Sequence, residues 1–362
     1  MIDRRLIENI DWFLIVLLVL ISLIGVLVIY SSSHYLPGKY FLKQLLFIAG
    51  SLVVLFLFLT VDYKILLTYS FYLYGFMVMV LIGMLFFSQF TAKGSWIKLR
   101  YFQAQPSELA KIAIILVLAQ LFSEYKRNYV SRSAVLASSG LVAILFILVA
   151  LQPDLGTAVS FLPMLLGSLI LAGLKRKALA WILVLSVLLG IAGWNYYLKD
   201  YQKKRLTTVV FPGKDPRGAG YHILQSKIAI GSGGFLGKGF KKGTQSQLKF
   251  LPARHTDFVF SVVGEEFGFL GVAAILFLYY LFIARLFRST AKARDRTGVY
   301  IIFMISLMFT FPVLVNVAMV IGLFPIVGIP LPLLSYGGSS LLTNFLGLSL
   351  VLNVKMRRFV NI

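Results

Sequence analysis

The chain has 362 residues, of which 59% are hydrophobic and only 13% are charged, and its formal net charge is +22. A soluble globular domain carries roughly 25% charged residues, so this composition excludes a water-soluble protein and predicts an integral membrane protein. The sequence contains no cysteine, which excludes disulfide bonds and thiolate-bound metal.

Ten apolar runs are long enough to cross a bilayer as helices, which takes about 20 mostly apolar residues each. We expect the spans near residues 12–31, 41–60, 65–88, 107–124, 133–151, 157–174, 178–196, 258–284, 299–322 and 336–354. The first run follows the polar segment Met1–Asp11 and is too long for a signal peptide, so it is expected to remain as a span. The predicted fold class is all-α: a polytopic membrane protein that forms one domain over residues 1–362.

Lys and Arg residues concentrate on the side of the membrane that the ten-span layout gives to both termini. Arg4, Lys126, Lys175, Arg288 and Lys355 are examples. Because cytoplasmic loops carry the excess of Lys and Arg, both termini are expected in the cytoplasm of a multi-pass protein.

One long polar segment, about residues 197–257, is expected as an outer loop between the seventh and eighth spans. It carries 12 Lys and Arg residues against Asp200, Asp215 and Asp257. On the outer face of a membrane no nucleic acid is expected, so this charge favours anionic membrane lipid or a pyrophosphate-linked substrate. A loop that only rests on lipid is an equally open alternative. The glycines between Gly231 and Gly239 can cradle a phosphate through backbone N–H groups or simply give a mobile loop.

Ionisable residues inside or beside a span are costly and are candidates for function. Glu108 and Lys111 are three residues apart after Pro106, so they share one helix face. They form either a structural ion pair or a lysine that faces a polar cavity. Asp154 lies between the fifth and sixth spans and either caps a helix or shapes that cavity.

Asp257 is the strongest catalytic candidate, because it ends the basic loop and opens the eighth span. A carboxylate at the rim of a cavity can act as a general base or hold a metal; helix capping is the alternative. If the helix begins at Asp257, then Ser261, Gly264 and Gly268 share its face. The Pro- and Gly-rich segment from Gly328 to Ser340 either lines a cavity or is an ordinary outer turn.

Four motifs, in this order along nearly the whole chain, resemble those of the SEDS family, the shape, elongation, division and sporulation proteins. They are Gln105–Lys111, Gln152–Thr157, Arg254–Ser261 followed by Gly264–Gly268, and Pro330–Pro332 with Ser335–Ser340. The residues of the last two motifs are more similar to the elongation branch than to the division branch.

The resemblance implies a peptidoglycan glycosyltransferase in the bacterial cytoplasmic membrane that polymerises lipid II, with a class B penicillin-binding protein as its partner. It implies Asp257 as the catalytic base, with Glu108, Lys111, Arg254, Asp154 and Ser335 binding substrate. No metal ligands are assigned. Lys111, Arg254 or a divalent cation such as Mg²⁺ or Mn²⁺ is expected to neutralise the pyrophosphate.

Two other classes of function remain open on the sequence. A lipid II flippase requires polar residues through the full depth of the membrane. Only Glu265 and Glu266 are expected to lie deeper in the membrane than the outer rim. A scaffold without activity would tolerate replacement of Asp257.

Overall fold

The computed structural model describes residues 8–33, 39–86, 91–92, 94–98, 103–123, 130–175, 218–248, 250–251 and 253–359, with isolated positions between 176 and 217. Its elements are mainly helices, followed at the end by one 3-10 turn at Arg357–Phe359. The helices are α1 (Trp12–Ser33), α2 (Tyr40–Thr60), α3 (Tyr63–Thr68), α4 (Ser70–Phe86), α5 (Pro106–Ser123), α6 (Arg132–Leu151), α7 (Leu155–Val159), α8 (Leu162–Leu171), α9 (Ala219–Gly233), α10 (Thr244–Gln247), α11 (Val259–Thr290), α12 (Arg296–Val320) and α13 (Gly338–Met356).

The all-α membrane architecture predicted from the sequence is confirmed. Helices occupy nine of the ten predicted spans, and the seventh, near 178–196, lies outside the described residues except at isolated positions. Within the described ranges, α1, α2, α5, α6, α11 and α12 are long and apolar enough to cross a membrane. Two shorter apolar stretches, α4 and α7 with α8, accompany them.

The structure departs from the predicted layout at four places. The third predicted span is divided into α3 and α4, and the sixth into α7 and α8. The predicted outer loop is not irregular throughout, because it contains α9 and α10. A small antiparallel sheet precedes α5, with strand order β1 (Thr91–Ala92), β2 (Trp96–Lys98) and β3 (Gln103–Ala104).

Helices α5 and α13 form the centre of the bundle, because each packs against several other helices. Helix α13 packs on α2, α5 and α12, and α5 also contacts α4 and α6. Peripheral helices instead expose large apolar side chains, such as Leu46 of α2 at 70% and Met79 of α4 at 68%. Exposed apolar surface of this extent marks the face that contacts lipid.

Both ends of the described chain meet at one end of the bundle. The carboxylate of Asp11, just before α1, accepts hydrogen bonds from Arg285 near the end of α11 and from Lys355 near the end of α13. Burial raises the pKa of Asp11, but the bonds from these two cations outweigh burial and hold that pKa below its usual value. The junction places the start of the first span and the end of the last span on the same side, as the ten-span layout requires.

Helix α11 is broken at Gly268, which has φ 63° and ψ −157°. The break releases the carbonyls of Glu265 and Glu266 and the N–H groups of Phe269 and Leu270. Residues of the preceding segment take up all four groups. Lys238 and Gly239 donate to the two carbonyls, while the carbonyls of Gly234 and Phe235 accept from the two N–H groups, at 2.9–3.2 Å.

Two of the glycines between Gly231 and Gly239, namely Gly233 and Gly237, therefore serve close backbone packing in the folded chain. A Cβ at Gly237 would lie 2.2 Å from the carbonyl oxygen of Glu266, and one at Gly233 would lie 1.9 Å from that of Gly264. Residues 269–290 alone extend about 33 Å at 1.5 Å per residue, enough to cross a hydrocarbon core of about 30 Å. The first turns of α11 are thus free to pack with α9 and α10.

We predict that Gly268→Ala destabilises the protein. Its φ and ψ lie in a region that is essentially restricted to glycine, which costs other residues about 1–3 kcal/mol, and an added Cβ would lie 2.3 Å from the backbone nitrogen of Gly237. Thermal unfolding in detergent should show a lower midpoint. The control is Gly231→Ala in α9, where a Cβ meets open space and the gain in helix propensity is about 0.5–1 kcal/mol. An unchanged midpoint for Gly268→Ala would contradict the role of the break.

A candidate active-site cavity

A cavity lies where α5, α7, α12 and α13 meet the segment 328–337 that leads into α13. Its polar wall carries an ion pair, hydroxyl groups and an amide, and its apolar wall is rich in proline. The lining residues are Glu108, Lys111, Gly156, Thr157, Ser160, Met308, Pro312, Ile329, Pro330, Pro332, Ser340 and Asn344.

Glu108 and Lys111 line this cavity as a buried ion pair. Pro106 starts α5, since its fixed φ suits the first helical position, and the spacing of three then places both side chains on one face. Lys111 Nζ lies 2.7 Å from Glu108 Oε1, with the side chains 9% and 6% exposed. The two alternatives from the sequence are therefore both realised: the residues pair with each other and also face a cavity.

Asp154 caps α7 next to the cavity wall. Its Oδ1 accepts from the Thr157 N–H at 3.2 Å, and its Oδ2 accepts from Gln105 Nε2 at 2.5 Å. Burial raises the pKa of Asp154, and the charge of Glu108 adds to that rise, whereas hydrogen bonds from Thr157 and the charge of Lys111 oppose it. The structure thus brings Asp154 together with the ion pair, as the sequence motifs suggested.

Asp257 does not open the helix, because α11 begins at Val259, two residues later. The condition under which Asp257 would share a helical face with Ser261, Gly264 and Gly268 is therefore not met. Asp257 lies in a turn, half-buried, with its Oδ2 3.7 Å from the position of a Cβ on Gly328. Ile329, the residue after Gly328, lines the cavity, so the Asp257 carboxylate lies beside the cavity wall although Asp257 is not a lining residue.

Three successive backbone carbonyls fix the position of this turn. The carbonyl of His255 accepts from the Tyr336 N–H at 2.9 Å. The next, that of Thr256, accepts from Ser335 Oγ at 2.6 Å. The third, that of Asp257, accepts from Asn316 Nδ2 at 3.0 Å. Asn316 also donates to the Ile329 carbonyl at 2.8 Å, so one amide ties the turn to the cavity wall.

Arg254 and Ser335, two of the predicted substrate-binding residues, lie outside the cavity lining. Arg254 is 5% exposed and donates from Nη1 to the Ser246 carbonyl at 2.5 Å. Ser335 accepts from the Leu331 N–H at 2.9 Å while it donates to Thr256. Both side chains hold the polypeptide around Asp257.

His255 packs between aromatic rings beside the catalytic candidate. Its ring lies 4.8 Å from that of Tyr40 and 5.9 Å from that of Tyr336. Burial lowers the pKa of His255, and the charge of Arg254 lowers it further. Both effects favour the neutral form of the imidazole.

The sequence reasoning missed two roles that the structure makes clear. Glu265 accepts from Lys238 Nζ at 2.9 Å and from the N–H groups of Gln245 and Ser246, so it anchors α10 to α11. Asn316 is fully buried in α12. A polar amide in the middle of an apolar span was the signal that could have revealed Asn316, whereas its partner at Asp257 could not be foreseen.

Within the described ranges, no three His, Asp or Glu side chains lie close enough to hold a metal ion. Protein-bound Mg²⁺ commonly uses one or two carboxylates together with substrate phosphates. A divalent cation at this site therefore stays a prediction that depends on a phosphate-bearing ligand.

The fold and the cavity define a polytopic helical membrane protein with a buried ion pair and a fixed carboxylate at its polar site. The chain matches the family described as cell cycle protein, which comprises FtsW, RodA and SpoVE, over residues 11–359. It belongs to that family.

Several relatives and solved structures cover nearly all of the chain. The peptidoglycan glycosyltransferase MrdB of Escherichia coli K12 is 38% identical over 94% of this chain and 93% of its own length. A probable peptidoglycan glycosyltransferase FtsW of Geobacter sp. M18 is 35% identical over 98% of both. A chain from a peptidoglycan synthase complex superposes with a TM-score of 0.83 at 31% identity, over 97% of this chain and 99% of that one. RodA of Thermus thermophilus superposes with a TM-score of 0.73 at 28% identity, over 97% of this chain and 98% of that one.

We predict that Lys111→Met alone destabilises the protein more than the double variant Glu108→Gln/Lys111→Met. Removing one partner of a buried pair leaves an uncompensated charge, which costs about 3–5 kcal/mol, whereas removing both is often nearly neutral. Thermal unfolding in detergent of both single variants and the double variant gives the coupling energy. Strictly additive effects would show that the two charges do not depend on each other.

Proposed function

We propose that this chain is a peptidoglycan glycosyltransferase that polymerises lipid II into glycan strands at the outer face of the bacterial cytoplasmic membrane. The single observation that supports it most is Asp257, whose turn is fixed through three backbone carbonyls against the wall of a polar cavity. The relatives named as peptidoglycan glycosyltransferases supply the class of reaction.

In the proposed reaction, a sugar hydroxyl of the acceptor attacks the anomeric carbon of the donor. A new glycosidic C–O bond forms while the bond between that carbon and the lipid pyrophosphate breaks. Asp257 takes the proton of the hydroxyl, and the undecaprenyl pyrophosphate leaves with the bonding electrons. General-base help of this kind contributes about 10²–10⁴ in rate.

The leaving pyrophosphate needs positive charge, and we place the source in the basic outer segment or in a divalent cation such as Mg²⁺ or Mn²⁺. Lys111 is already paired with Glu108, so less of its charge is available than the sequence suggested. Lys227 and Lys242 are exposed in the segment that packs on α11. Neither lysine forms an ion pair with a carboxylate in the described part of the chain. Their positive charges would therefore be available to bind a phosphate.

The cellular setting forms part of the same proposal. Both termini lie in the cytoplasm, which is supported by the Lys and Arg bias and by the junction of Asp11 with Lys355. A class B penicillin-binding protein is the proposed partner, supported by the similarity to a chain from a peptidoglycan synthase complex. The elongation branch is favoured, since MrdB and a rod shape determining protein are among the similar proteins.

We predict that Asp257→Asn lowers glycan synthesis about 10²–10⁴-fold, because an amide cannot accept the proton. The measurement is polymerisation of labelled lipid II by the purified chain with its penicillin-binding partner. Asp62→Asn is the control: Asp62 caps α3 at the opposite end of the protein, where Asn caps equally well, so the rate should not change.

The same assay separates the alternatives. Full activity of Asp257→Asn would overturn the assignment of the base. If the unaltered protein makes no polymer but moves lipid II across vesicle membranes, it is a flippase. If it does neither, it is a scaffold.

We also predict that Asn316→Ala lowers kcat about 10–100-fold with little change in KM, because a displacement of about 1 Å at the reacting group costs rate rather than binding. The control is Asn353→Ala. Asn353 also donates its amide to two backbone carbonyls, those of Phe58 and Val61, but at the opposite end of the bundle. Equal loss of kcat in both variants would show that Asn316 acts only through stability.

A further inference from the structure

Asn344 is a buried amide in the cavity wall whose Nδ2 group has no partner among the described residues. The residue belongs to α13, lines the cavity and is 5% exposed. Its Nδ2 group makes no hydrogen bond to any residue that the structure describes. Buried amide groups in native proteins are nearly always hydrogen-bonded, so an unpaired one at a cavity requires an explanation.

Several neighbouring polar groups of the wall already have partners. Ser160 Oγ donates to the Thr157 carbonyl at 2.6 Å, and Thr157 Oγ1 accepts from Gln105 Nε2 at 3.3 Å. Lys111 is paired with Glu108. Among the described lining residues, Asn344 Nδ2 is the fully buried polar group whose hydrogen-bonding capacity is left for a ligand. The terminal torsion of an asparagine side chain is broad, so the amide can turn toward a ligand without leaving its rotamer.

The charge of the cavity favours a neutral ligand. Glu108 and Lys111 cancel each other at 2.7 Å, and Asp154 is close enough for both charges to affect its pKa. The sum is therefore zero or negative. An anionic pyrophosphate would gain no net electrostatic attraction from such a cavity. An uncharged group that forms hydrogen bonds does not need that attraction.

The remaining wall is apolar and suits a small hydrophobic group. Met308 and Pro312 of α12 lie there, together with Ile329, Pro330 and Pro332. A lipid tail would match these residues but would leave the amide of Asn344 unpaired. The cavity thus fits a ligand that is neutral, accepts a hydrogen bond and carries a small apolar group.

We propose that Asn344 binds the acetamido group of a lipid II sugar, an inference that rests on the proposed function. The acetamido carbonyl accepts a hydrogen bond from Asn344 Nδ2, and the acetyl methyl group packs against Met308 and Pro312. An acetamido group meets all three requirements, since it is uncharged, has a strong acceptor and ends in a methyl group. Asn344 is thereby a specificity residue for N-acetylated sugars.

The test compares lipid II with two analogues in which one sugar or the other has a free amine instead of the acetamido group. The polymerisation rate is measured for the unaltered protein, Asn344→Ala and Asn344→Asp. The unaltered protein should prefer the acetylated substrate over one analogue by about tenfold, the size expected from one hydrogen bond. Asn344→Ala should lose most of that preference. Asn344→Asp should shift it toward the amine, because a carboxylate binds an ammonium group.

Thr343→Ala is the matched control, because Thr343 precedes Asn344 on the same helix. It is 1% exposed, and its hydroxyl has no partner in the described part of the chain, but it does not line the cavity. Its replacement should leave the preference unchanged. A preference that is the same in the unaltered protein and in Asn344→Ala overturns the inference.

Failure of the proposed function is distinguishable from failure of this inference. If the unaltered protein makes no polymer from lipid II, the glycosyltransferase proposal fails. Equilibrium binding of lipid II and of the two analogues to the protein in nanodiscs then tests Asn344 independently of turnover. Equal affinity of the unaltered protein and Asn344→Ala for lipid II would overturn the inference. Weaker binding of lipid II by Asn344→Ala, with unchanged binding by Thr343→Ala, would support it.

Discussion

The hydrocarbon core of a bilayer has no water, so each backbone group released by a break in a helix needs a partner within the protein. This constraint governs where the chain can be irregular. At Gly268 the preceding segment supplies all four partners. At the turn of Asp257, residues of α12 and of the segment 328–337 hold three carbonyls. Irregular backbone is therefore concentrated where a rigid neighbour can satisfy it, and that is also where the candidate catalytic carboxylate lies.

The distribution of charge divides the polar region into two parts. The cavity is lined by one ion pair whose charges cancel. The outer segment keeps its basic character even after Lys238 is bound by Glu265. A substrate with a neutral sugar part and an anionic lipid-phosphate part would match this division, with its sugars toward the cavity and its phosphates toward the basic segment. Asp257 ends the basic segment and lies beside the cavity wall, a position that suits a carboxylate acting where the two parts of such a substrate join.

The sequence predicted features that depend on local rules. Pro106 and the spacing of three placed Glu108 and Lys111 on one face, and the position of Asp154 before a span made a helix cap one of its two expected roles. The sequence could not predict contacts between distant segments, such as the bond from Ser335 to Thr256 across 79 residues. The bond from Arg254 to the Ser246 carbonyl is another contact of this kind, and a role of Arg254 in substrate binding stays a prediction.

The break in α11 escaped prediction for a related reason. The apolar pattern continues through Gly268, and a glycine in a membrane helix is common. Only the fit of the segment 233–239 against the break shows why the helix stops there. The start of α11 at Val259 follows from the same kind of contact, because the turn before it is held by α12 and not by a cap.

The junction at Asp11 bears on how the protein is made. Asp11 and Lys355 are 344 residues apart, and chains fold progressively from the N-terminus during synthesis. The first span is therefore made long before Lys355, and the Asp11 carboxylate lacks this partner until the ribosome has produced the last helix. Helix α13 packs on α2, α5 and α12, so its arrival completes both the buried centre of the bundle and this charge cluster. Biogenesis thus ends with a single closing step, and a chain truncated before Lys355 lacks that step.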